Sequence, residues 1–547
     1  MANTFIPANL QPPLDLSHLI LKEAPDAENS VPFDVLFVGG GPAGLAGAIE
    51  LAKLCKQDPQ LSSTEIGVLE KAGTLGGHCL SGAVVNPIGF KELFPELSEQ
   101  DYPFRKKVED EKVYLLTESG QVTLPTPPTM KNHGNYVASI CEIVRWLGEK
   151  AEGLGVNILT GFPADRLLVE DQKVIGVRTT PAGLGRDGTP GSQYMPPTDV
   201  TAQAVVLSEG TRGLLTQAYW QWQKLTSKYA PAYALGVKEL WKVKKAPKEI
   251  IHTLGWPLPK NAFGGSWLYP LADDLVSFGL VAGLDYKQSN LDVHRLLQKM
   301  KQHPLFAEIL EGGEIQEWGA KTIPEGGFNA LPNRLHGDHV LILGDAAGLV
   351  NVPALKGIHY AMMSGIMAAR TLYQGLKSSD FSAKKLAPYS ESLRTSFIGE
   401  DLKAVRNMRH AFKSGFYMGG MKAGLMTLTG GAFPGDTSHA EEDAAEPKTL
   451  STDESLAPNV GLSKVDAVYL SGNKTRDDIP SHLTVGKDIS PEVADFYSHL
   501  CPAGVYERQG DQLVVNAPNC VDCKATDVLG PRWQPREGGS GPDYKQM

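Results

Sequence analysis

Two rhythms of apolar and polar positions alternate along the chain, and each change of rhythm marks a boundary. Residues 33–38 (FDVLFV) form a nearly continuous apolar run that predicts a buried strand closed by three glycines. Apolar residues then recur at helical spacing, so 33–54 reads as strand, glycine turn and helix. A second strand is predicted at 65–71 and a helix at 138–153 ending at glycines. Alternating segments at 156–161 and 174–179 precede an apolar strand at 202–210. From about 216 to 335 the pattern becomes short strands rich in aromatics and glycine, which predicts an antiparallel sheet. The first pattern returns with an apolar strand at 339–348 and a long helix after Pro353. The implied fold class is α/β plus α+β. A discontinuous Rossmann-like dinucleotide-binding domain (31–215 and 336–400) carries an inserted antiparallel-sheet domain (216–335). A polar tail (1–30) precedes it. A basic, apolar segment (401–435), an acidic linker (436–461) and a small terminal unit (462–547) follow.

Composition narrows the class. Hydrophobic residues at 42% and charged residues at 21% exclude global disorder. The formal net charge of −10 argues against a general nucleic-acid binder. No run of about 18 apolar residues occurs, so no transmembrane helix is expected. The first 30 residues lack the basic start and long apolar run of a secretory signal, and they contain no arginine. A reducing, cytoplasmic compartment is the expectation. Glycine and proline, 58 and 38 residues, show no collagen-like period, so their excess points to tight turns and close approaches of backbone to ligand. Of six cysteines, Cys55, Cys79 and Cys141 are scattered, whereas Cys501, Cys520 and Cys523 crowd near the end.

Gly39-Gly40-Gly41-Pro42-Ala43-Gly44 matches G-x-G-x-x-G between a strand and a helix. Gly39 suits the tight turn, Gly41 the approach of a pyrophosphate, and Gly44 close helix–strand packing. The helix start offers N–H groups and partial positive charge to phosphates. Glu70 ends the second strand, where a carboxylate accepts bonds from a ribose hydroxyl, and Lys71 follows it. The motif alone does not separate FAD from NAD. Leu341 to Gly348 (LILGDAAG) resembles the late flavin-binding motif of two-dinucleotide-binding-domain flavoproteins, in which the aspartate bonds the ribityl chain. With only one Rossmann fingerprint, bound FAD without a separate nicotinamide domain is the better reading. Pro42, Ala43, Gly344, Asp345, Gly348, Asn351 and Gly357 complete the expected cofactor-binding set.

Longer strings now matter: residues 73–95 (GTLGGHCLSGAVVNPIGFKELFP), NHGNYV, LGVKELW, HTLGWPL, FGGSWLYPL, VNVPALKGIHYAMMSG, CPAGVYE, NCVDCK and the ending EGGSGPDYKQM. From about residue 33 to the C-terminus, in order, they resemble the electron transfer flavoprotein–ubiquinone oxidoreductase family. The resemblance implies an FAD domain, a quinone-binding domain at 216–335 and a ferredoxin-like iron–sulfur domain at 462–547, in one monotopic protein. Such a protein takes electrons from electron transfer flavoprotein and reduces ubiquinone. It also implies that Gly264 and Gly265 lie against the quinone head group and that Gly357 approaches both flavin and quinone. No side chain is expected to act as an essential acid or base, since the cofactors carry the chemistry. The expected location is peripheral or monotopic on the cytoplasmic face of a bacterial inner membrane, as a monomer without nucleic-acid partners. Two other readings stay open: a geranylgeranyl-reductase-like flavoprotein acting on an isoprenoid lipid, and a cluster-deficient electron-relay module.

Between Asp401 and Asp436 there is no acidic residue, while Lys403, Arg406, Arg409, Lys413 and Lys422 are basic. Phe412, Phe416, Tyr417, Met418, Met421, Leu425, Met426, Leu428 and Phe433 share the stretch, which suits contact with anionic lipid. By the resemblance, 87–95 (PIGFKELFP) is a second dipping region. Cys501, then Cys520-x-x-Cys523, is partial ferredoxin-like spacing. The family pattern continues to a fourth cysteine, but this chain has Thr526 there, followed by Asp527. Three arrangements are open: a [4Fe-4S] cluster with Asp527, a hydroxyl or water on the fourth iron; a [3Fe-4S] cluster on three cysteines; or no cluster, or a different metal. Asp345 also departs from many close family members, and Cys79 reads as a buried thiol.

Overall fold

A computed structural model describes residues 4–26, 28–434 and 440–547, with the side chains of 414, 416 and 417 outside the description. The apolar run at its start becomes the strand Ser30–Val38, in which Val35, Leu36 and Phe37 are fully buried. It pairs in parallel with Ile66–Glu70 on one side and Asp199–Leu207 on the other. A strand covered on both faces needs apolar residues in succession, which is why no alternation shows here. Val340–Ile342, from beyond the insertion, pairs in parallel with Asp199–Leu207 and completes the same nine-stranded sheet. The helix Pro42–Gln57 packs on the helix Ile358–Ser378. The crossing is close, because a Cβ at Gly365 would stand 2.2 Å from the Ala43 carbonyl oxygen.

The second sheet has seven strands, in the order Glu314–Pro324, Tyr233–Lys242, Leu275–Gly283, Gly264–Ala272, Ile250–Gly255, Glu111–Leu116, Gln121–Leu124. Five come from the expected insertion. The last two come from 111–124, which the sequence pattern placed in the dinucleotide-binding unit. Ile250–Gly255 pairs in parallel with Glu111–Leu116, so the sheet is mixed rather than antiparallel throughout. Tyr114 and Leu116 share one face of that strand and bury it in the core of the second sheet. A strand paired across more than a hundred residues carries no local sign of its partner.

The terminal unit does not stand apart. Phe496, Tyr497, Val468 and Leu483 share one core with Phe278, Leu280 and Trp318 of the second sheet. Thr4–Phe5 pairs with Lys448–Thr449, the Phe5 ring meets Phe496 at 5.3 Å, and Ile20–Leu21 joins the edge of the first sheet. The described parts of the expected tail and linker are therefore built in, with Asp443, Lys448 and Leu456 buried. Isolated apolar residues inside polar stretches fill seams between units, so average polarity misleads there. Residues 1–3 and 27 of the tail and 436–439 of the linker lie outside the described residues, as does residue 435 before it.

One carboxylate joins the second sheet's helices to the terminal unit. Asp292 caps the helix Val293–Met300 by accepting from the Arg295 N–H at 3.0 Å, and its other oxygen meets Lys464 Nζ at 2.7 Å. Burial alone would raise the Asp292 carboxyl, but the Lys464 ammonium and His499 outweigh it and hold it well below the usual carboxylate range. A depressed carboxyl contributes stability above about pH 4 that fades as pH falls below it. Asp292→Asn keeps the cap and strands a buried ammonium, so we expect a loss of about 3 kcal/mol. Thermal unfolding at neutral pH should show a lower midpoint, with the gap to the parent narrowing in acid; equal midpoints at neutral pH would contradict this.

Candidate cofactor cavity and buried cysteine site

The glycine turn is built as the motif requires. Gly39 sits at φ +114°, and a Cβ there would lie 2.4 Å from the Ser208 carbonyl oxygen. A Cβ at Gly44 would lie 2.2 Å from the Gly39 carbonyl oxygen, so helix and strand meet backbone to backbone. Gly41 has open space where a side chain would project, and it starts the helix Pro42–Gln57 without a side-chain cap. Free N–H groups at that helix start therefore face a cavity. Glu70 accepts from the Gly40 N–H at 3.0 Å and the Ala72 N–H at 2.8 Å, so it braces the turn.

Asp345 faces the same cavity. Burial raises its carboxyl to about 6, and the Thr211 hydroxyl donates to it at 3.5 Å. Gly357 begins the helix Ile358–Ser378, again without a side-chain cap, on the cavity wall beside Asp345. The structure does not bring every expected residue to the wall. Gly44, Gly344, Gly348 and Asn351 lie behind it, where Gly344 accepts close packing from Ala43 and Asn351 pins its loop through Lys356. Lys71 does line the cavity, but its ammonium is committed to Asp522.

The cavity is continuous and large, about 1050 Å³. It runs from Gly41 past Asp345 to Gly264 and Gly265 on the second sheet, then to the helix Phe416–Leu428. Gly264, at φ +152°, would drive a Cβ to 2.1 Å from the Val281 carbonyl oxygen, and Gly265 to 2.5 Å from that of Thr253. Close strand packing thus requires both glycines, independently of any ligand. Beside them Thr253 and Ser266 share a short hydroxyl contact, and His252 Nε2 lies 2.6 Å from the Tyr269 hydroxyl. Burial, with Lys356 second, drops His252 to about 3, so its ring is neutral.

Met418, Met421, Leu425 and Leu428 form one exposed ridge on that last helix, Leu428 being 85% exposed. Met421 and Leu428 also line the cavity, so its mouth is framed by solvent-facing apolar side chains. Phe416 and Tyr417, expected in this patch, lie outside the described side chains. Arg409 leaves the basic set, because it is buried between Glu325 at 2.6 Å and Asp285 at 2.8 Å, stacked on Phe263. The expected second dipping region is mostly core: Phe90, Leu93 and Phe94 are buried, with aromatic partners Tyr102, Phe104 and Trp146, while Ile88 and Pro95 are exposed. Among the described residues no helix is long and apolar enough to cross a membrane.

Cys501, Cys520 and Cys523 are all buried and lie close to one another. Backbone N–H groups of Ala503 and Val505 point at Cys501, that of Asp522 at Cys520 (3.4 Å) and that of Ala525 at Cys523. Burial pushes the Cys520 thiol up to about 12 and raises the other two. Buried sulfurs ringed by N–H donors fit an iron–sulfur cluster, whose iron charge would hold them as thiolates. Thr526, at the sequence position of the family's fourth cysteine, is buried beside the Tyr506 hydroxyl, which is in electrostatic reach of all three sulfurs. Asp527 is not a candidate fourth ligand: its carboxylate takes Arg212 Nε at 2.7 Å and the Trp533 N–H at 3.1 Å.

The cysteine loop is also a wall of the cavity. The Cys523 carbonyl accepts from the Thr322 N–H at 2.9 Å, and Thr322, Lys524 and Trp533 line the cavity. Asp522, between Cys520 and Cys523, pairs with Lys71 and with Arg536 at 3.0 Å and accepts from Trp533 Nε1 at 3.0 Å. His482, Cys520 and Asp522 bring three donor atoms within 4.8 Å, but Asp522 is already matched by those cations. Sequence reasoning missed Asp522, Trp533, Tyr506, His252 and Lys356; all but Trp533 sit in a quoted string, but no local pattern marks the contacts that place them.

Comparison with known proteins adds independent findings. Residues 233–323 match the family described as ETF-QO, ubiquinone-binding, and 459–545 the family described as Electron transfer flavoprotein-ubiquinone oxidoreductase, 4Fe-4S. The mitochondrial electron transfer flavoprotein-ubiquinone oxidoreductase of Oryza sativa subsp. japonica is 37% identical over 544 residues, covering 94% of this chain and 93% of that protein. The corresponding Mus musculus protein is 36% identical over 551 residues, covering 94% and 89%. Among solved structures, a geranylgeranyl bacteriochlorophyll reductase-like protein from Thermoplasma acidophilum superposes with TM-score 0.56 at 17% identity, covering 76% of this chain and 95% of that one. A flavin-dependent brominase gives 0.51 at 16%, covering 74% and 94%. These two share the fold alone.

With three thiolates and a buried hydroxyl corner, the purified protein should contain iron and acid-labile sulfide. Thr526→Cys should raise the iron content and convert the EPR signal to that of a cluster held by four cysteines. Unchanged iron and spectra in that variant, with the fold intact, would contradict this assignment.

Proposed function

Because the chain belongs to the electron transfer flavoprotein–ubiquinone oxidoreductase family, we propose that its one long cavity holds FAD at the glycine turn and the ubiquinone head group at Gly264 and Gly265. The protein passes electrons from electron transfer flavoprotein through FAD and an iron–sulfur cluster to ubiquinone. When bound, the flavin supplies two-electron storage and the cluster one-electron transfer; the polypeptide supplies position and potential. Gly41 and the uncapped helix start receive the pyrophosphate, Glu70 the ribose, Asp345 the ribityl chain and Gly357 the pyrimidine end of the flavin. Cys501, Cys520 and Cys523 would hold the cluster, with the Thr526 hydroxyl the oxygen donor available beside them.

The observation that carries this reading is the continuity of the cavity. Its polar, glycine-rich end meets the cysteine loop, and its other end opens between apolar side chains that face solvent. Quinone is lipid-soluble, so an exit framed by Met421 and Leu428 suits a protein seated on a bilayer without spanning it. Lys403 and Lys413, exposed beside that exit, suit anionic lipid. In this reading the protein is a monomer on the cytoplasmic face of a bacterial inner membrane. The isoprenoid-reductase alternative has only a shared fold behind it.

Leu428→Asp places a charge at the exit and leaves the cavity interior alone. We expect weaker sedimentation with anionic vesicles and a KM for vesicle-dissolved ubiquinone raised roughly tenfold, since a charged side chain at an interface costs on the order of 1–3 kcal/mol. Unchanged vesicle binding and KM would contradict the membrane exit.

A further inference from the structure

Reduction of one quinone consumes two electrons and two protons, and the cavity's apolar end offers few groups able to give a proton. His252 is neutral, and its Nε2 is engaged with Tyr269. Burial pushes the Tyr269 hydroxyl well above its ordinary range. Arg409 and Glu325 neutralise each other in a buried pair. Lys356 differs from all of these. Its Nζ donates to two neutral oxygens, Asn132 Oδ1 at 2.5 Å and the Ala354 carbonyl at 3.2 Å, so losing a proton would leave no carboxylate unpaired. It lines the cavity one residue before Gly357, on a loop pinned by paired backbone bonds between Asn351 and Lys356.

The charges around it are few. Glu111 is the carboxylate that acts on Lys356, and it binds the Asn132 N–H at 3.0 Å and Nδ2 at 2.9 Å. His252 and His359 both feel the Lys356 charge and are held neutral by burial. Asp345 lies beyond Gly357.

Resting on the quinone site proposed above, we propose that Lys356 donates a proton to the quinone carbonyl oxygen and is recharged from water on the Asn132–Glu111 side. One O–H bond forms as an Nζ–H bond breaks. The second proton is the one released when the flavin gives up its two electrons to the quinone. The geometry agrees with the energetics: burial lowers the ammonium to about 8, within reach of the working pH of a general acid.

The test uses the holoenzyme with reduced electron transfer flavoprotein as donor and two acceptors, a soluble ubiquinone analogue and ferricenium, which takes no proton. The readout is the ratio of quinone to ferricenium turnover against pH. In the parent the ratio should fall as pH rises past about 8, because the charged donor is lost. Lys356→Met and Lys356→Arg should both lower the ratio roughly a hundredfold below that pH and flatten the profile. Arginine keeps the charge but does not release a proton. A Lys356→Arg enzyme with the parent's ratio and profile would overturn the proton role. Labelling with an azido-ubiquinone separates the premise: label on 250–283 supports the site, and label elsewhere overturns the site and the proton role together.

Discussion

Asp522 is a carboxylate buried between two cysteines that are to carry negative charge, and the arrangement of the molecule depends on how that charge is met. Burial alone would raise its carboxyl, but Arg536 and Lys71, with His78 and His482 after them, hold it well below the ordinary range. Lys71 follows the last residue of a central parallel strand and Arg536 belongs to the terminal unit. Meeting this charge therefore clamps the cysteine loop onto the end of the dinucleotide-binding sheet. Trp533 is caught in the same clamp, under Lys524 at 4.4 Å and bonded to Asp522. Removing one partner of such a buried set leaves an uncompensated charge and costs about 3–5 kcal/mol. The closeness of cysteine loop and cavity is thus fixed electrostatically.

From that clamp the rest of the site follows by close backbone packing. Gly39, Gly44, Gly264 and Gly265 each stand where a Cβ would meet a carbonyl oxygen at under 3 Å. The missing side chains let strands and helices meet backbone to backbone, and Gly39, Gly264 and Gly265 leave that backbone on the cavity wall. Catalytic polarity is sparse along it, which suits a protein whose cofactors do the redox chemistry. The acidic total of the chain says little about this interior, where matched pairs such as Arg409 with Glu325 dominate.

What was legible in the sequence was local. The glycine turn, Glu70, the Gly344-Asp345 motif and the crowded cysteines each announce themselves within a few residues. The discontinuity of the first sheet was legible too, because an apolar run recurs at 340–342 after a long change of rhythm. Pairings across distance were not. The strand Glu111–Leu116 is a short apolar run (EKVYLL), but nothing local says that its partner lies beyond residue 249. Arg409 looked like one base among five until Glu325 and Asp285 took it inside. Phe90 and Phe94 looked like a membrane anchor because apolarity does not say which surface will cover it. Asp527 looked like a spare ligand, and only the folded chain shows it spent on Arg212.

The central claim is that one polypeptide carries electrons from electron transfer flavoprotein to quinone through a flavin and a three-thiolate cluster side by side. The most direct test is anaerobic titration of the purified protein with reduced electron transfer flavoprotein, followed optically and by EPR, with a soluble ubiquinone analogue added at the end. The flavin should bleach and the EPR spectrum change as the cluster is reduced, and quinone should reverse both. A flavin left oxidised by the reduced donor, or a reduced protein that quinone does not reoxidise, would contradict the account.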